Sequence, residues 1–381
     1  MTGNWPNPTV SKERQPVRSF PIRSGRLNVQ IHRQEIPLDY ALDFAARKNP
    51  KRPFLFVSKL LGRHLPTRPH LLRETARRLA AKIASGLGDE PVLFFGMAET
   101  ATALGQAVFQ AWTESGREGL YLDTTRRRTG GRIAFRFREN HSHAVEHLVH
   151  LPTATNDPIG TFQSARTVVL IDDEATTGRT ALALVRAYEK HVGHRVRRCL
   201  AVIANWLAEA SKVGDLEVFS LLEGRVTYEP GKAYQNYLPL PPPMRQEPPL
   251  GTLAPRGSRH GLRFPQELSA QPEFFGKKVL VVGVGEFHFL PFLFAEALEK
   301  AGGKAWIQAT TRSPIQLGGG IRHIREFIAL TGEGYLEYLY NVPPNHPYDR
   351  VVICGEEGLE ISRNHPLWKI PRLAIGRLGS P

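Results

Sequence analysis

Short apolar runs, separated by amphipathic or small-residue stretches, dominate the hydrophobic pattern of this chain. Each run has the length of a buried strand, and an unbroken apolar run is typical of a strand covered on both faces of a parallel sheet. Between the runs, Ala76, Leu79 and Ile83 recur at helical spacing, which predicts a helix over residues 72–87 with one buried face. The pattern therefore predicts an α/β fold with a mainly parallel sheet. The candidate strands are Phe54–Ser58, Val92–Phe95, Leu120–Leu122, Val168–Ile171, Ala201–Ala204, Leu280–Val282 and Val351–Cys354.

A Pro-rich stretch, residues 238–272, divides the chain into two parts. Its repeated prolines interrupt regular structure and favour a semi-rigid linker. The first 18 residues are polar and show no periodicity, which predicts a mobile arm. We therefore expect an arm over 1–18, a first domain over 19–237, the linker, and a second α/β domain over 273–381.

The composition indicates a globular chain: 381 residues, 41% hydrophobic and 23% charged, with two cysteines. No apolar run approaches the roughly 18 residues of a transmembrane helix, and residues 1–27 lack the apolar core of a signal peptide. Two cysteines exclude a disulfide framework. We expect a cytoplasmic protein that does not associate with membranes.

The formal net charge of +14 favours a polyanionic partner, which is either a nucleic acid or a small phosphorylated substrate. The basic residues are spread along the chain instead of forming one stripe. Aromatic-rich strands and a Gly-x-x-Gly clamp, the signatures of common RNA-binding modules, are not evident. Nucleic acid is therefore the less favoured partner, and an RNA-binding regulator stays an alternative.

The strongest chemical motif begins where the run Val168–Ile171 ends. Asp172 and Asp173 follow the strand directly, at the edge where open α/β sheets bind ligands. Small residues, hydroxyls and backbone N–H groups come next, ahead of a helix that begins near Ala181, and they suit a phosphate at the positive end of that helix. An acid pair followed by a phosphate-binding turn predicts a sugar phosphate as the ligand. We expect the carboxylates to bind its two ribose hydroxyls directly or through Mg²⁺. The candidate phosphate ligands are Ala175, Thr176, Thr177, Gly178, Arg179 and Thr180.

This stretch closely resembles the loop that binds 5-phosphoribosyl 1-pyrophosphate (PRPP) in type I phosphoribosyltransferases. That loop has four apolar residues, two acids, two variable residues and Thr-Thr-Gly, and all of these are present in residues 168–178. The resemblance implies a Rossmann-like transferase domain that binds Mg²⁺ and PRPP and releases pyrophosphate. It implies that Asp172 and Asp173 flank an oxocarbenium-like ribose. Because related transferases commonly dimerise, it also makes a homodimer plausible.

The run Val92–Phe95 is a second predicted strand, and a small-residue turn and a helix follow it. Such a helix N-terminus binds anions. In type I phosphoribosyltransferases this turn binds pyrophosphate. Glu99 stands where the family often has glycine, and as a carboxylate it repels pyrophosphate unless Mg²⁺ lies between them; its role is open between holding the base, binding metal and capping the turn. The residues of this chain that correspond to the pyrophosphate-binding turn are Met97, Ala98, Glu99, Thr100 and Ala101.

Two cationic loops also resemble orotate phosphoribosyltransferases. The loop after Phe54–Ser58 contains Lys59 and Arg63 and is similar to a Gly-basic-x-x-Pro loop near the base and pyrophosphate, although solvated surface cations fit it equally well. The segment 132–145 resembles the flexible catalytic loop that closes on pyrophosphate. There Arg136 and Arg138 are expected to stabilise the leaving charge, and His141 or His143 to donate a proton. Zinc is disfavoured for this His pair, because no third ligand lies at a recognisable spacing.

The second half of the chain repeats anchors of the first half in the same order and at nearly constant spacing. Residues 280–286 parallel 93–99, residues 310–312 parallel 124–126, and 351–354 parallel 168–171. The repeat predicts an internal duplication in which the second copy has lost the Thr-Thr-Gly turn. A strand order that differs between the copies would contradict it.

The segment Thr311-Arg312-Ser313-Pro314 matches the signature of the Thr-Arg-Ser-Pro (TRSP) domain. That domain is found behind a phosphoribosyltransferase domain in bacterial tellurite-resistance and stress gene clusters, and the resemblance covers roughly residues 20–375. It implies an orotate phosphoribosyltransferase-like enzyme (a pentosyltransferase) that uses PRPP and a nucleobase-like acceptor to make a nucleotide-like metabolite. The alternative is a PRPP or nucleotide sensor without turnover.

Overall fold

The computed structural model describes residues 15–127, 131–138, 146–153, 158–207, 215–231, 268–330, 334–356, 359–376 and 378. The helices are α1 Leu38–Ala41, α2 Pro69–Gly86, α3 Thr102–Glu114, α4 Pro158–Ser164, α5 Arg179–Val192 and α6 Phe289–Lys300. The strands of the first half are β1 Arg18–Ile22, β2 Gly25–Gln34, β3 Leu42–Ala46, β4 Phe54–Ser58, β5 Val92–Gly96, β6 Gly119–Asp123, β7 Ile133–Arg138, β8 Glu146–His150, β9 Thr167–Ala175, β10 Arg197–Asn205 and β11 Leu216–Pro230. The strands of the second half are β12 Lys278–Gly283, β13 Lys304–Ala309, β14 Ile324–Ile328, β15 Leu336–Tyr340, β16 Arg350–Cys354 and β17 Leu373–Gly376.

A seven-stranded sheet of the described residues, in the order β1-β2-β11-β10-β9-β5-β6, forms the scaffold of the first half. The strands from β11 to β6 run parallel, and β2 and β1 extend the sheet in antiparallel fashion. All residues of β5 and β6 are buried, as expected for strands covered on both faces. The predicted α/β class with a mainly parallel sheet is confirmed.

Helix α2 shows how local sequence sets an element. Pro69 occupies its first turn, where the missing N–H costs nothing, so the helix starts three residues before the predicted Leu72. Leu72, Ala76, Leu79 and Ile83 lie on its buried face, which confirms the predicted amphipathic helix.

The second half builds a four-stranded parallel sheet in the order β13-β12-β16-β17. The first sheet contains the corresponding order β6-β5-β9-β10. In both halves a helix follows the first strand, and an antiparallel hairpin precedes the third: β7 with β8 in the first half, β14 with β15 in the second. The strand order that the duplication hypothesis requires is confirmed. We call the two halves the first unit and the second unit.

The units share packed surfaces instead of being held by a linker alone. Residues of α6 such as Phe292 and Leu293 belong to the same hydrophobic cluster as α2 and α3. Within this contact the Arg73 guanidinium donates to both carboxylate oxygens of Glu296, at 2.7 and 2.9 Å. Burial disfavours charge on Glu296, but the bonds and charge of Arg73 lower its pKa overall.

The outcome for the predicted arm and linker is mixed. Gln15 donates its backbone N–H to the Ile31 carbonyl and β1 begins at Arg18, so the end of the predicted arm is paired to the sheet. Residues 1–14 and 238–267 lie outside the described residues. Among the helices that the structure describes, none is long and apolar enough to cross a membrane.

The buried pair between α2 and α6 gives a stability prediction. Glu296→Gln leaves the Arg73 charge buried without its counter-ion, and we expect a loss of about 3 kcal/mol in the free energy of unfolding. Glu74→Gln weakens a partly exposed i,i+4 ion pair with Arg78 and should change the free energy of unfolding by less than about 0.5 kcal/mol. Urea unfolding measures both variants. Equal losses would contradict the anchoring role of the Arg73–Glu296 pair.

Candidate active site

A cleft of about 370 Å³ lies at the carboxyl ends of the parallel strands of the first unit. The loops after β5 and β9 form one side of the cleft. The hairpin β3–β4 contributes Arg47, Arg52 and Leu55. The second unit supplies the remaining wall through residues 311–314 and the start of β15. The cleft is therefore built from both units, at the strand edge where α/β sheets bind ligands.

Strand β9 continues further than the apolar run suggested. Asp172 pairs in register with Val202 of β10, and Glu174 pairs with Ala204, so the three acids belong to the strand itself. Asp172 and Asp173 are half-buried and line the cleft. The Asp173 N–H donates to Asp172 Oδ1 at 3.0 Å. Burial raises the pKa of Asp173, an effect that the Asp172 hydrogen bond and the Arg52 charge oppose.

The third acid, Glu174, was not predicted as a site residue. Its carboxylate forms an ion pair with Arg52, whose guanidinium lies over the rings of Phe54 and Phe56. Burial raises the pKa of Glu174 to about 7, although the Arg52 charge acts in the opposite direction. This ion pair places the Arg52 cation beside the acidic end of β9, which reduces the net negative charge there.

The turn predicted to bind phosphate lies directly before α5, with Gly178 as the N-cap of the helix. Gly178 adopts a φ of +65°, which side-chain-bearing residues rarely take, and its carbonyl accepts the Leu182 N–H at 3.0 Å. Ala175, Thr176, Thr177, Gly178 and Thr180 line the cleft. Arg179, the first residue of α5, is exposed and is not among the lining residues. The first N–H groups of the helix have no intrahelical partners, and with the helix dipole they suit an anion.

The turn after β5 also borders the cleft. Four of its residues line the cleft: Met97, Ala98, Glu99 and Thr100. Ala101 is the buried N-cap of α3 and does not. Glu99 Oε2 accepts hydrogen bonds from the Thr311 hydroxyl at 2.8 Å and from the Arg312 N–H at 3.1 Å. Of the roles left open for Glu99, the structure shows a cap, and the turn it caps is that of the TRSP segment.

The second unit repeats this contact in the opposite direction. Glu286, the counterpart of Glu99, accepts from the Thr125 hydroxyl at 2.5 Å and from the Arg126 N–H at 2.8 Å. The supporting bonds are also repeated, since the Thr124 hydroxyl accepts the Ala98 N–H and the Thr310 hydroxyl accepts the Gly285 N–H. The units therefore pack about a pseudo-twofold relation, each carboxylate capping the Thr-Arg turn of the other. We call this the reciprocal cap.

Arg63 corrects one expectation. Instead of facing pyrophosphate, it is 1% exposed and joins the two units at the reciprocal cap. It donates to the Glu99 carbonyl at 2.5 Å in the first unit, and to the carbonyls of Gly285 at 2.6 Å and Thr310 at 3.1 Å in the second. Both terminal nitrogens of Arg63 donate to these carbonyl oxygens, and Arg63 is not among the residues that line the cleft, which contradicts the predicted contact with pyrophosphate. Lys59 donates to the Asp39 carbonyl and also lies outside the cleft lining.

The segment resembling a flexible catalytic loop forms a hairpin at its described ends. Arg136 and Arg138 are exposed on β7, and Arg136 pairs with Glu146 of β8 at 3.3 Å. Neither arginine is among the residues that line the cleft. His141 and His143 lie outside the described residues. The corresponding hairpin of the second unit lines the cleft instead, through Leu336 and Tyr338.

Two lining residues, Tyr335 and Tyr338, lacked a recognisable sequence signal, whereas His64 belongs to the predicted loop that contains Lys59 and Arg63. Burial and the charges of Arg63 and Arg47 lower the pKa of His64 to about 3, so this histidine is neutral at pH 7. The tyrosines lie far from the PRPP-loop motif in sequence and belong to the other unit. Only the TRSP signature pointed toward this part of the chain.

The donor set fits a metal that is shared with substrate. Within the described residues, no group of three or more His, Cys, Asp or Glu side chains forms a ready cation site. Asp172 and Asp173 nevertheless line the cleft together. One or two carboxylates completed by substrate phosphate oxygens and water are the usual protein ligands of Mg²⁺. The acid pair therefore fits a Mg²⁺ that arrives with a phosphorylated ligand.

The fold and the cleft define an α/β protein with a cleft at the carboxyl ends of its parallel strands. Residues 41–227 match the family model described as phosphoribosyl transferase. Residues 259–370 match the model described as TRSP domain C terminus to PRTase_2. The first unit is thus similar to the phosphoribosyl transferase model and the second unit to the TRSP model, in the order in which the description of the second model places them. A comparison with curated proteins yields no match.

Solved structures with detectable similarity include several phosphoribosyltransferases. Adenine phosphoribosyl transferase from Trypanosoma brucei is 13% identical with a TM-score of 0.33, over 48% of this chain and 76% of that one. The enzyme from Thermoanaerobacter pseudethanolicus is 14% identical with a TM-score of 0.28, over 40% and 81%. Hypoxanthine phosphoribosyltransferase from Trypanosoma cruzi is 10% identical with a TM-score of 0.27, over 43% and 82%.

A buried acid beside the reciprocal cap predicts a pH dependence of stability. Glu337 is fully buried and accepts the Thr310 hydroxyl at 2.9 Å. Burial, reinforced by the nearby Glu99 charge, raises its pKa from 4.5 to about 7. The folded state therefore binds a proton that the unfolded state has released. This contribution is complete below pH 4.5 and is lost as the pH rises to about 7.

Glu337→Gln removes this titration and keeps a side chain of similar shape. We expect the melting temperature of the variant, relative to the wild type, to rise by several degrees between pH 4.5 and pH 8, the range that brackets the shifted pKa. Scanning calorimetry across this range measures it. Parallel pH profiles for the wild type and Glu337→Gln would contradict the shifted pKa.

Proposed function

We propose that the protein transfers the 5-phosphoribosyl group of PRPP to a base-like nucleophile, with release of pyrophosphate. One observation carries the proposal: Asp172 and Asp173 line the same cleft as the phosphate turn at the start of α5 and the anion turn after β5. A ribose carrying a phosphate at one end and a pyrophosphate at the other needs these groups in this arrangement. The family match over residues 41–227 supports the same reaction class.

In the proposed reaction, the bond between ribose C1 and the pyrophosphate oxygen breaks, and its electron pair leaves with pyrophosphate. A lone pair of the acceptor forms the new bond to C1, and the acceptor then loses its proton to solvent or to the departing group. The ribose becomes positively charged between these events, and the carboxylates of Asp172 and Asp173 stabilise that charge and bind the ribose hydroxyls.

The other groups hold the two ends of the substrate. Residues 176–178 and Thr180 bind the 5-phosphate through hydroxyls and backbone N–H groups. Residues 97–100 bind pyrophosphate at the N-terminal end of α3. Asp172 and Asp173 would hold Mg²⁺ together with substrate oxygens, and bound Mg²⁺ neutralises part of the charge on the leaving pyrophosphate. The closed wall made by the second unit limits access of water to the ribose.

The acceptor is proposed to be a planar, base-like nucleophile. Leu55, Pro314, Leu336 and Tyr338 give the cleft an apolar and aromatic side, which suits the faces of a flat ring. An orotate-like acceptor, a nucleotide-like metabolite as product, and a role in tellurite resistance or stress response stay predictions from the sequence resemblance. A homodimer and a cytoplasmic location also stay predictions.

The acid pair is tested by Asp173→Asn, which keeps the shape of the side chain and removes its charge. We expect pyrophosphate release from PRPP and Mg²⁺, assayed across a panel of bases, to fall by about a hundredfold or more, because the ribose cation loses its nearest counter-charge. Asp89→Asn, at a site that is 95% exposed, is the matched control and should leave turnover unchanged.

Circular dichroism and thermal melting check that both variants are folded. Turnover of Asp173→Asn equal to that of the wild type would remove the acid pair from the mechanism. A wild-type protein that binds PRPP and releases no pyrophosphate with any base would favour a sensor over an enzyme.

A further inference from the structure

The TRSP segment is placed at the wall of the cleft by contacts that no sequence motif specifies. The backbone of Arg312 is fixed by Glu99, through its N–H and through the neighbouring Thr311 hydroxyl. The same hydroxyl also accepts the Ser313 N–H at 3.2 Å, which closes a tight turn. The segment that gives the domain its signature is thus attached to the anion turn of the other unit.

The side chain of Arg312 is also held in place. Its guanidinium carbon lies 3.7 Å from the centre of the Tyr335 ring, and Nη2 donates to the Tyr335 hydroxyl at 2.7 Å. Nε is 3.8 Å from Glu99 Oε1, and the side chain is 18% exposed. Arg312 lines the cleft together with Asp172 and Asp173. A guanidinium held by stacking and by a carboxylate is pre-organised, so it loses little side-chain entropy when it binds an anion.

The charge balance of the anion turn calls for such a cation. Glu99 is the acid in the turn proposed to bind pyrophosphate, and a carboxylate there repels a polyanion. Arg63, a buried cation that donates to the Glu99 carbonyl, also donates to carbonyl oxygens of the second unit and does not line the cleft. Arg312 lies beside Glu99 and lines the cleft, so its positive charge offsets the carboxylate and attracts a polyanion at this turn.

We propose that Arg312 of the second unit binds the pyrophosphate group of PRPP held by the first unit. The TRSP domain then supplies a substrate-contact residue, and Glu99 is the positioning residue that sets Arg312 through the reciprocal cap. The inference rests on the proposed function and deepens it, because it assigns a role in that site to a domain that lacks the Thr-Thr-Gly turn of its own.

The test measures binding of the two ends of the substrate separately. The protein is titrated calorimetrically with inorganic pyrophosphate and, in a second experiment, with ribose 5-phosphate, both in the presence of Mg²⁺. For Arg312→Met we expect pyrophosphate affinity to fall by about tenfold or more, the usual effect of losing a charged hydrogen bond. Ribose 5-phosphate affinity should change by less than about twofold, since its phosphate binds at α5. Arg312→Lys keeps the charge without the planar fork and should be intermediate.

Glu296→Gln is the control for a loosened contact between the units. It removes the buried partner of Arg73, away from the cleft lining, and should leave both affinities unchanged. Thermal melting of each variant shows whether it is folded. For Glu99→Gln we expect KM for PRPP to rise more than kcat falls, because the amide retains an oxygen acceptor for Thr311 while losing the ion pair with Arg312.

The outcomes are distinct. Wild-type pyrophosphate affinity in a folded Arg312→Met protein would overturn the inference and leave the proposed function standing. Equal losses for pyrophosphate and ribose 5-phosphate, or the same loss in Glu296→Gln, would also overturn it, because the effect would then be structural. A wild-type protein that binds neither ligand would overturn the proposed function together with the inference.

Discussion

The reciprocal cap is the interaction on which the rest of the structure depends. Glu99 and Glu286 each accept a hydroxyl and a backbone N–H from the Thr-Arg turn of the other unit, and Arg63 donates to carbonyls on both sides. Charge-assisted hydrogen bonds of this kind are directional, so they fix the orientation of the two sheets in a way that apolar packing alone does not. The cleft exists because this orientation closes its open side.

The same arrangement has an electrostatic cost that the fold offsets locally. Burial raises the pKa of both Glu174 and Glu337 to about 7. Arg52 pairs with Glu174, and Thr310 donates to Glu337, so each buried acid has a partner. The first unit has the acidic strand end and the Thr-Thr-Gly turn, whereas the second unit has other residues at the corresponding positions. The second unit then serves the cleft of the first through its Thr-Arg turn and its hairpin.

The sequence predicted the features that depend on local pattern. Strand β4 has the bounds that its apolar run indicated, and the turn before α5 forms because only glycine takes the backbone of residue 178 readily. The repeated order of anchors predicted the shared strand order. Roles set by distant partners were not predictable. The sequence indicated only that Arg63 is a cation in a loop, because its hydrogen-bond acceptors Gly285 and Thr310 lie in the other unit. Glu99 was ambiguous for the same reason.

Calorimetric titration of the intact protein with PRPP, in the presence and absence of Mg²⁺, tests the proposed function most directly. We predict binding that requires Mg²⁺ and saturates at one PRPP per chain, because the acid pair and the Thr-Thr-Gly turn occur together once, in residues 168–180. Absence of PRPP binding with Mg²⁺ present would contradict the central claim. Two equivalent sites per chain would contradict the assignment of a single site to the first unit.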